Sequence, residues 1–146
     1  MTQIDFYVLA GTSQLEQMQF ACHLLVKAQQ KSNRVFIHTD NEILAKQMDE
    51  LIWTYKPLSF IPHSLEQDPS APANSPVSIG WQGNPGQHHD IMINLSKQIP
   101  PFFSRFARYM GVVVQDDSIL SATRQHYKFL KDRGYQISMH DMRLLG

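Results

Sequence analysis

The chain has 146 residues, 42% of them hydrophobic and 18% charged, with 13 basic and 13 acidic side chains and therefore no net charge. That composition is globular, neither disordered nor fibrous, and the length suits one domain with a sizeable core. Charge balance argues against a protein that coats nucleic acid, because such proteins neutralise several phosphates with surplus Lys and Arg, and a single cysteine, Cys22, excludes a disulfide framework within the chain.

The opening stretch, MTQIDFYVLA, lacks the basic region, long apolar run and cleavage site of a secretion signal. No apolar run approaches the ~20 residues that span a bilayer. With the lone cysteine, these features set the expectation of a cytoplasmic protein with no membrane contact.

Residues 4–10 (IDFYVLA) are short, apolar and β-rich, the pattern of a buried strand running into a turn at Gly11. Ser13 and Glu16 then stand at capping-box spacing. Leu15, Met18, Cys22 and Leu25 recur at helical steps, so a helix follows. Residues 34–38 (RVFIH) form a second strand. Residues 39–53 form a second helix, with Thr39 and Glu42 as its expected capping box and Ile43, Met48, Leu51 and Ile52 as its expected inward face. This alternation implies parallel strands joined by right-handed crossovers.

Beyond Trp53 the pattern loosens. Residues 54–76 hold five prolines and read as largely loop, although Phe60 and Ile61 are too apolar to float free; the Pro/Ser/Ala stretch at 68–76 is surface loop. Residues 77–81 and 90–96 read as strands, and the Gly/Pro-rich QGNPGQHH between them suits a hairpin-like or an irregular connection. Residues 100–114 open with a helical turn and end as a strand. Residues 116–133 form the last helix, capped by Asp116 or Asp117 and stopped at Gly134, and residues 135–140 add an edge strand. The expected architecture is one α/β domain over residues 1–146. Its sheet is Rossmann-like, mostly parallel or mixed, with flanking helices and no nucleotide-binding loop. Gly11-Thr12-Ser13 lacks both glycine-rich phosphate signatures.

Little in the chain looks catalytic. His88 and His89 precede Asp90, but strand neighbours point to opposite faces and rarely share an ion. Cys22 and His23 are helix neighbours that face apart, so Cys22 reads as core. His63 reads as a lone loop histidine in a hydrogen-bonded structural role. No cofactor or metal is expected.

The last helix carries more information. On a helical wheel Ile119, Leu120, Thr123, Tyr127 and Leu130 share one broad face, and Arg124, Lys128 and Lys131 form an adjoining stripe roughly 60° wide. Solvation and the helix dipole account for such cations as well as function does. The functional alternative is a seam where an apolar group rests on Tyr127 while Arg124 offers its planar fork to a carboxylate. A peptide with a hydrophobic last residue, a free terminal carboxylate and acidic residues upstream matches that seam. Trp53 and Phe60 read equally as local packing or as interface anchors.

Taken together, FYVLA near the start, Trp53 with Ser59-Phe60 and Pro62-His63, and Asp117-Ser118 with Arg124 and Tyr127-Lys128 make the chain resemble the chi subunit of bacterial DNA polymerase III holoenzyme over nearly its full length. The resemblance implies a non-catalytic accessory subunit of a DNA-directed DNA polymerase assembly. Such a subunit joins the clamp loader through the psi subunit and grips the acidic, Phe-terminated C-terminal tail of single-stranded-DNA-binding protein. It places tail binding on Trp53, Val113, Leu120, Arg124, Tyr127, Lys128 and Lys131, with Arg124 as carboxylate clamp and Tyr127 and Trp53 as apolar walls. Leu120 departs from the basic residue that the family pattern puts there. Psi binding falls on Phe60, and the resemblance also raises a repair helicase as a competitor for that surface. Two other readings stand beside this one: a direct single-stranded nucleic-acid binder using Tyr127, Trp53 and the lysines, against which the neutral charge counts, and a nucleotide-dependent enzyme, against which the missing glycines count.

Overall fold

The computed structural model describes residues 1–65, 75–83, 85, 86 and 88–143. Along the chain run β1 (Gln3–Val8), α1 (Gln14–Gln30), β2 (Val35–His38), α2 (Glu42–Thr54), β3 (His63–Leu65), β4 (Val77–Gly80), β5 (Ile91–Asn94), β6 (Arg108–Val113), α3 (Asp117–Asp132) and β7 (Ile137–Asp141). Short 3-10 turns lie at Lys56–Leu58 and Pro101–Arg105. The strands form one sheet in the order β3-β4-β2-β5-β6-β1-β7, and every pairing is parallel. Most of the expected surface loop at 68–76 lies outside the described residues.

Helix starts follow their side-chain chemistry. At α1 the Ser13 hydroxyl accepts the Glu16 N–H, and the Glu16 carboxylate folds back onto Ser13, completing the expected capping box. That carboxylate lies against Gly11, where any Cβ would collide with it, so α1 fills its own anion-attracting N-terminus with Glu16. At α2 the expected Thr39–Glu42 box is not formed. Asn41 caps instead, its Oδ1 accepting the Leu44 N–H at 2.9 Å, while the Thr39 hydroxyl donates to the Asn41 carbonyl. The cap moves two residues, and the inward face becomes Ala45, Met48 and Ile52; Ile43 is 69% exposed.

Two further expectations are corrected. The Pro-bounded loop contains a strand, β3, which pairs with β4. Phe60 is 95% exposed, whereas Ile61 packs against the core. Of the two connections expected between β4 and β5, the hairpin-like one is not formed, because both strands pair with β2, in parallel.

Alternate strand residues feed two cores. Val35, Ile37, Val77, Ile79, Ile91, Ile93, Met110 and Val112 meet α1 and α2. Ile4, Phe6, Phe36, Met92, Tyr109 and Val113 meet Phe103, Phe106 and Leu130 on the other side. Right-handed crossovers explain the division. From β1 to β2 and from β2 to β3 the chain moves toward one edge of the sheet; from β5 to β6 and from β6 to β7 it moves toward the other. Helices α1 and α2 therefore share one face, and α3 lies on the opposite one.

Candidate functional site

Helix α3 begins at Asp116, whose carboxylate accepts from the Ser118 and Ile119 N–H groups. Hydrogen bonding from the Ser118 hydroxyl, then from the Ile119 N–H, holds that carboxyl below its ordinary value. The helix ends where the Gly134 N–H meets the Lys131 carbonyl and the Tyr135 N–H meets the Leu130 carbonyl, with Gly134 at φ +83°. Leu130 is fully buried, and Ile119 and Leu120 pack against the aromatic core half-buried. The His126 ring nitrogen donates to the Lys97 carbonyl at 3.0 Å and ties the helix to the segment after β5. Burial lowers its affinity for a proton.

This docking fixes the outer face. Arg124, Lys128 and Lys131 are exposed and Tyr127 is half-buried beside them, matching the wheel. The Lys131 ammonium lies 5.7 Å from the Tyr127 ring centre, at the outer edge of cation–π range. Among the described residues no carboxylate pairs with Arg124, Lys128 or Lys131; Glu42 pairs with Lys46, Asp5 with Arg108 and Asp141 with Arg143, while Asp49, Asp90 and Asp5 contact the rings of His63, His89 and His140. One feature of α3 escaped the sequence reading. Arg133 stacks 3.8 Å from the centre of the Phe129 ring, which meets Phe103 edge-on at 6.3 Å. The four-residue spacing of Phe129 and Arg133 was the available signal.

Two expected members of the tail-binding set stand apart from this face. Trp53 belongs to α2, on the other side of the sheet, so it does not wall a pocket shared with Arg124 and Tyr127. Val113 is 2% exposed and forms part of the core beneath α3 rather than a contact surface.

Trp53 instead packs at a tilt against His63, ring centres 4.2 Å apart, and remains 52% exposed. His63 is on strand β3, not in a loop, and its ring nitrogens face the Ile61 carbonyl at 3.0 Å and the Asp49 carbonyl at 3.2 Å. These bonds pin β3 to α2 and hold the indole outward. Phe60, three residues before His63, is 95% exposed, so the end of α2 and the α2–β3 connection each present an aromatic side chain to solvent.

The remaining candidates are structural. Cys22 is fully buried, and desolvation pushes its thiol up to about 12, far from a reactive thiolate. His88 is buried with Nε2 donating to the Ser75 carbonyl at 2.8 Å, and burial lowers its proton affinity; His89 is exposed. Among the described residues no helix is long and apolar enough to cross a membrane.

Residues 1–138 match the protein family described as DNA polymerase III chi subunit, HolC. Among curated proteins, the chain is 34% identical to DNA polymerase III subunit chi of Pseudomonas aeruginosa over 140 residues, covering 96% of both chains. It is 30% identical to the subunit of that name from Haemophilus influenzae, covering 94% of this chain and 96% of the relative. The Escherichia coli counterpart is 26% identical, with 94% and 97% covered.

Proposed function

The chain belongs to the DNA polymerase III chi subunit family, and on that premise we propose that it serves DNA replication as a non-catalytic adaptor with two separate docking surfaces. Helix α3 takes the acidic, Phe-terminated tail of single-stranded-DNA-binding protein. Arg124 meets the terminal carboxylate in a charge-assisted, bidentate bond, Lys128 and Lys131 meet upstream acidic residues, and Tyr127 with Leu120 receives the terminal ring. The psi subunit, linking to the clamp loader, docks on Phe60 together with Trp53. A repair helicase that competes with psi would use that same surface.

The observation that carries the reading is the uncompensated charge on α3. Three exposed cations beside a half-buried aromatic have no internal carboxylate among the described residues, in a chain whose net charge is zero. Bulk neutrality disfavours general DNA binding and leaves a local patch suited to a short acidic peptide. The test is titration of a labelled peptide with that acidic, Phe-ending sequence. Saturable binding that weakens with added salt supports the reading, and absence of binding at low salt refutes it.

A further inference from the structure

At their carboxyl ends the neighbouring strands β2 and β5 send the chain in opposite directions. From β2 it crosses the α2 face to β3, beyond β4; from β5 it crosses the opposite face through the turn at Pro101–Arg105 toward β6. Such divergence opens a crevice beyond the strand ends, where open parallel sheets bind their ligands. Here the crevice is a cleft of about 320 Å³, at the small end of the range for small-molecule sites. The corresponding gap between β6 and β1 is bridged shut, the Gln115 N–H donating to the Gly11 carbonyl at 2.8 Å and its side-chain amide to the Leu9 carbonyl at 2.9 Å.

The cleft is lined by His38 at the end of β2 and Asp40 after it, Trp81 after β4, and Ser96, Gln98 and Phe102 after β5. Its polar wall is already organised. Asp40 Oδ1 accepts the Lys97 N–H at 2.9 Å, His38 Nδ1 lies 3.1 Å from Ser96 Oγ, and Ser96 Oγ lies 2.7 Å from the Gln98 carbonyl. His38 meets Phe102 edge-on at 6.0 Å, and Phe102 rests on Phe36. Among the described lining residues there is no Lys or Arg, and Asp40 supplies the one permanent charge. A phosphate is therefore disfavoured, both here and at the α1 N-terminus that Glu16 occupies. Aromatic walls suit a flat ring, and the acceptor-rich rim suits N–H and O–H donors.

We infer that this cleft binds a planar nitrogen heterocycle free of phosphate, a nucleobase or nucleoside, stacked between Trp81 and Phe102 with its donors on Asp40 and the Ser96–Gln98 rim. The inference is independent of the tail and psi surfaces. Trp53→Phe leaves Trp81 as the single tryptophan, so its fluorescence reports occupancy of the full chain. Adenosine and cytidine should give a saturable change, their 5′-monophosphates should bind about tenfold more weakly, and Asp40→Asn should weaken the nucleosides about tenfold and narrow that gap. The nucleoside–nucleotide comparison on the Trp53→Phe chain stands whether or not the Asp40 variant folds. No saturable response to millimolar nucleoside, equal binding of the monophosphate, or binding of the guanidinium compound agmatine in place of nucleosides would overturn the inference. Tail-peptide binding is unaffected by any of these outcomes, so the two readings fail separately.

Discussion

Trp53 and Arg124 stand on opposite faces of one parallel sheet, Trp53 on α2 above the aliphatic core and Arg124 on α3 above the aromatic core. Two partners can therefore hold the chain at once without sharing a side chain. That separation underlies the adaptor reading, and it makes each surface removable on its own.

Phe60 is almost wholly exposed, so Phe60→Ala removes little from the fold. The melting temperature should stay within a degree or so, while psi co-purification drops by the ~30-fold typical of a lost aromatic anchor. Trp53→Ala should act in the same direction. Undiminished capture of psi by Phe60→Ala would rule out this surface.

Leu120 is half-buried at the seam between the apolar and basic faces of α3. A lysine there can lay its stem along the same surface and raise its ammonium to solvent. Leu120→Lys should bind the tail peptide more tightly, with steeper salt dependence, at a stability cost of about 1 kcal/mol or less. Peptide titrations at two salt concentrations check this; weaker binding at low salt would show that Leu120 acts through apolar contact instead.

Phe6 and Gly111 are register partners in β1 and β6. A Cβ on Gly111 would lie 2.8 Å from the Phe6 ring, which is itself 1% exposed and cannot swing aside. Gly111→Ala should cost about 1–3 kcal/mol by overpacking, measured by urea unfolding, and Gly111→Ala with Phe6→Leu should recover part of it. A neutral single substitution would mean that the two strands separate easily.

Burial holds His88 and His126 below the ordinary histidine value of 6.5. Above that value both rings are neutral whether the chain is folded or not, and their full contribution to stability is present. As pH falls through it, the unfolded chain takes up protons that the folded chain resists, so stability is lost. Unfolding free energy should be flat from about pH 8 to pH 7 and fall by about pH 5.5. His126→Gln, which can still donate to the Lys97 carbonyl, should flatten the fall. Rising stability over that interval would contradict the assignment.

Local structure was largely legible in the sequence because its causes are local. Ser13 and Glu16 interact across one turn, and the α3 wheel follows from helical geometry alone. At α2 both Thr39 and Asn41 can cap, and the choice is tertiary: the Thr39 hydroxyl also faces the Gly80 carbonyl at the end of β4, a contact no local pattern announces. Strand β3 is three half-buried residues among prolines, too short for a periodic signal. The faces of Trp53 and Arg124 were hidden for a deeper reason. A right-handed crossover fixes the face only once the direction of travel across the sheet is known, and strand order is not written in any one segment.

The most direct measurement is a single peptide titration run on the parent chain, Arg124→Ala and Trp53→Ala side by side. The expected result is at least a tenfold loss for Arg124→Ala and an unchanged affinity for Trp53→Ala. Equal losses in both variants, or full affinity in Arg124→Ala, would contradict two independent surfaces with the tail held on α3.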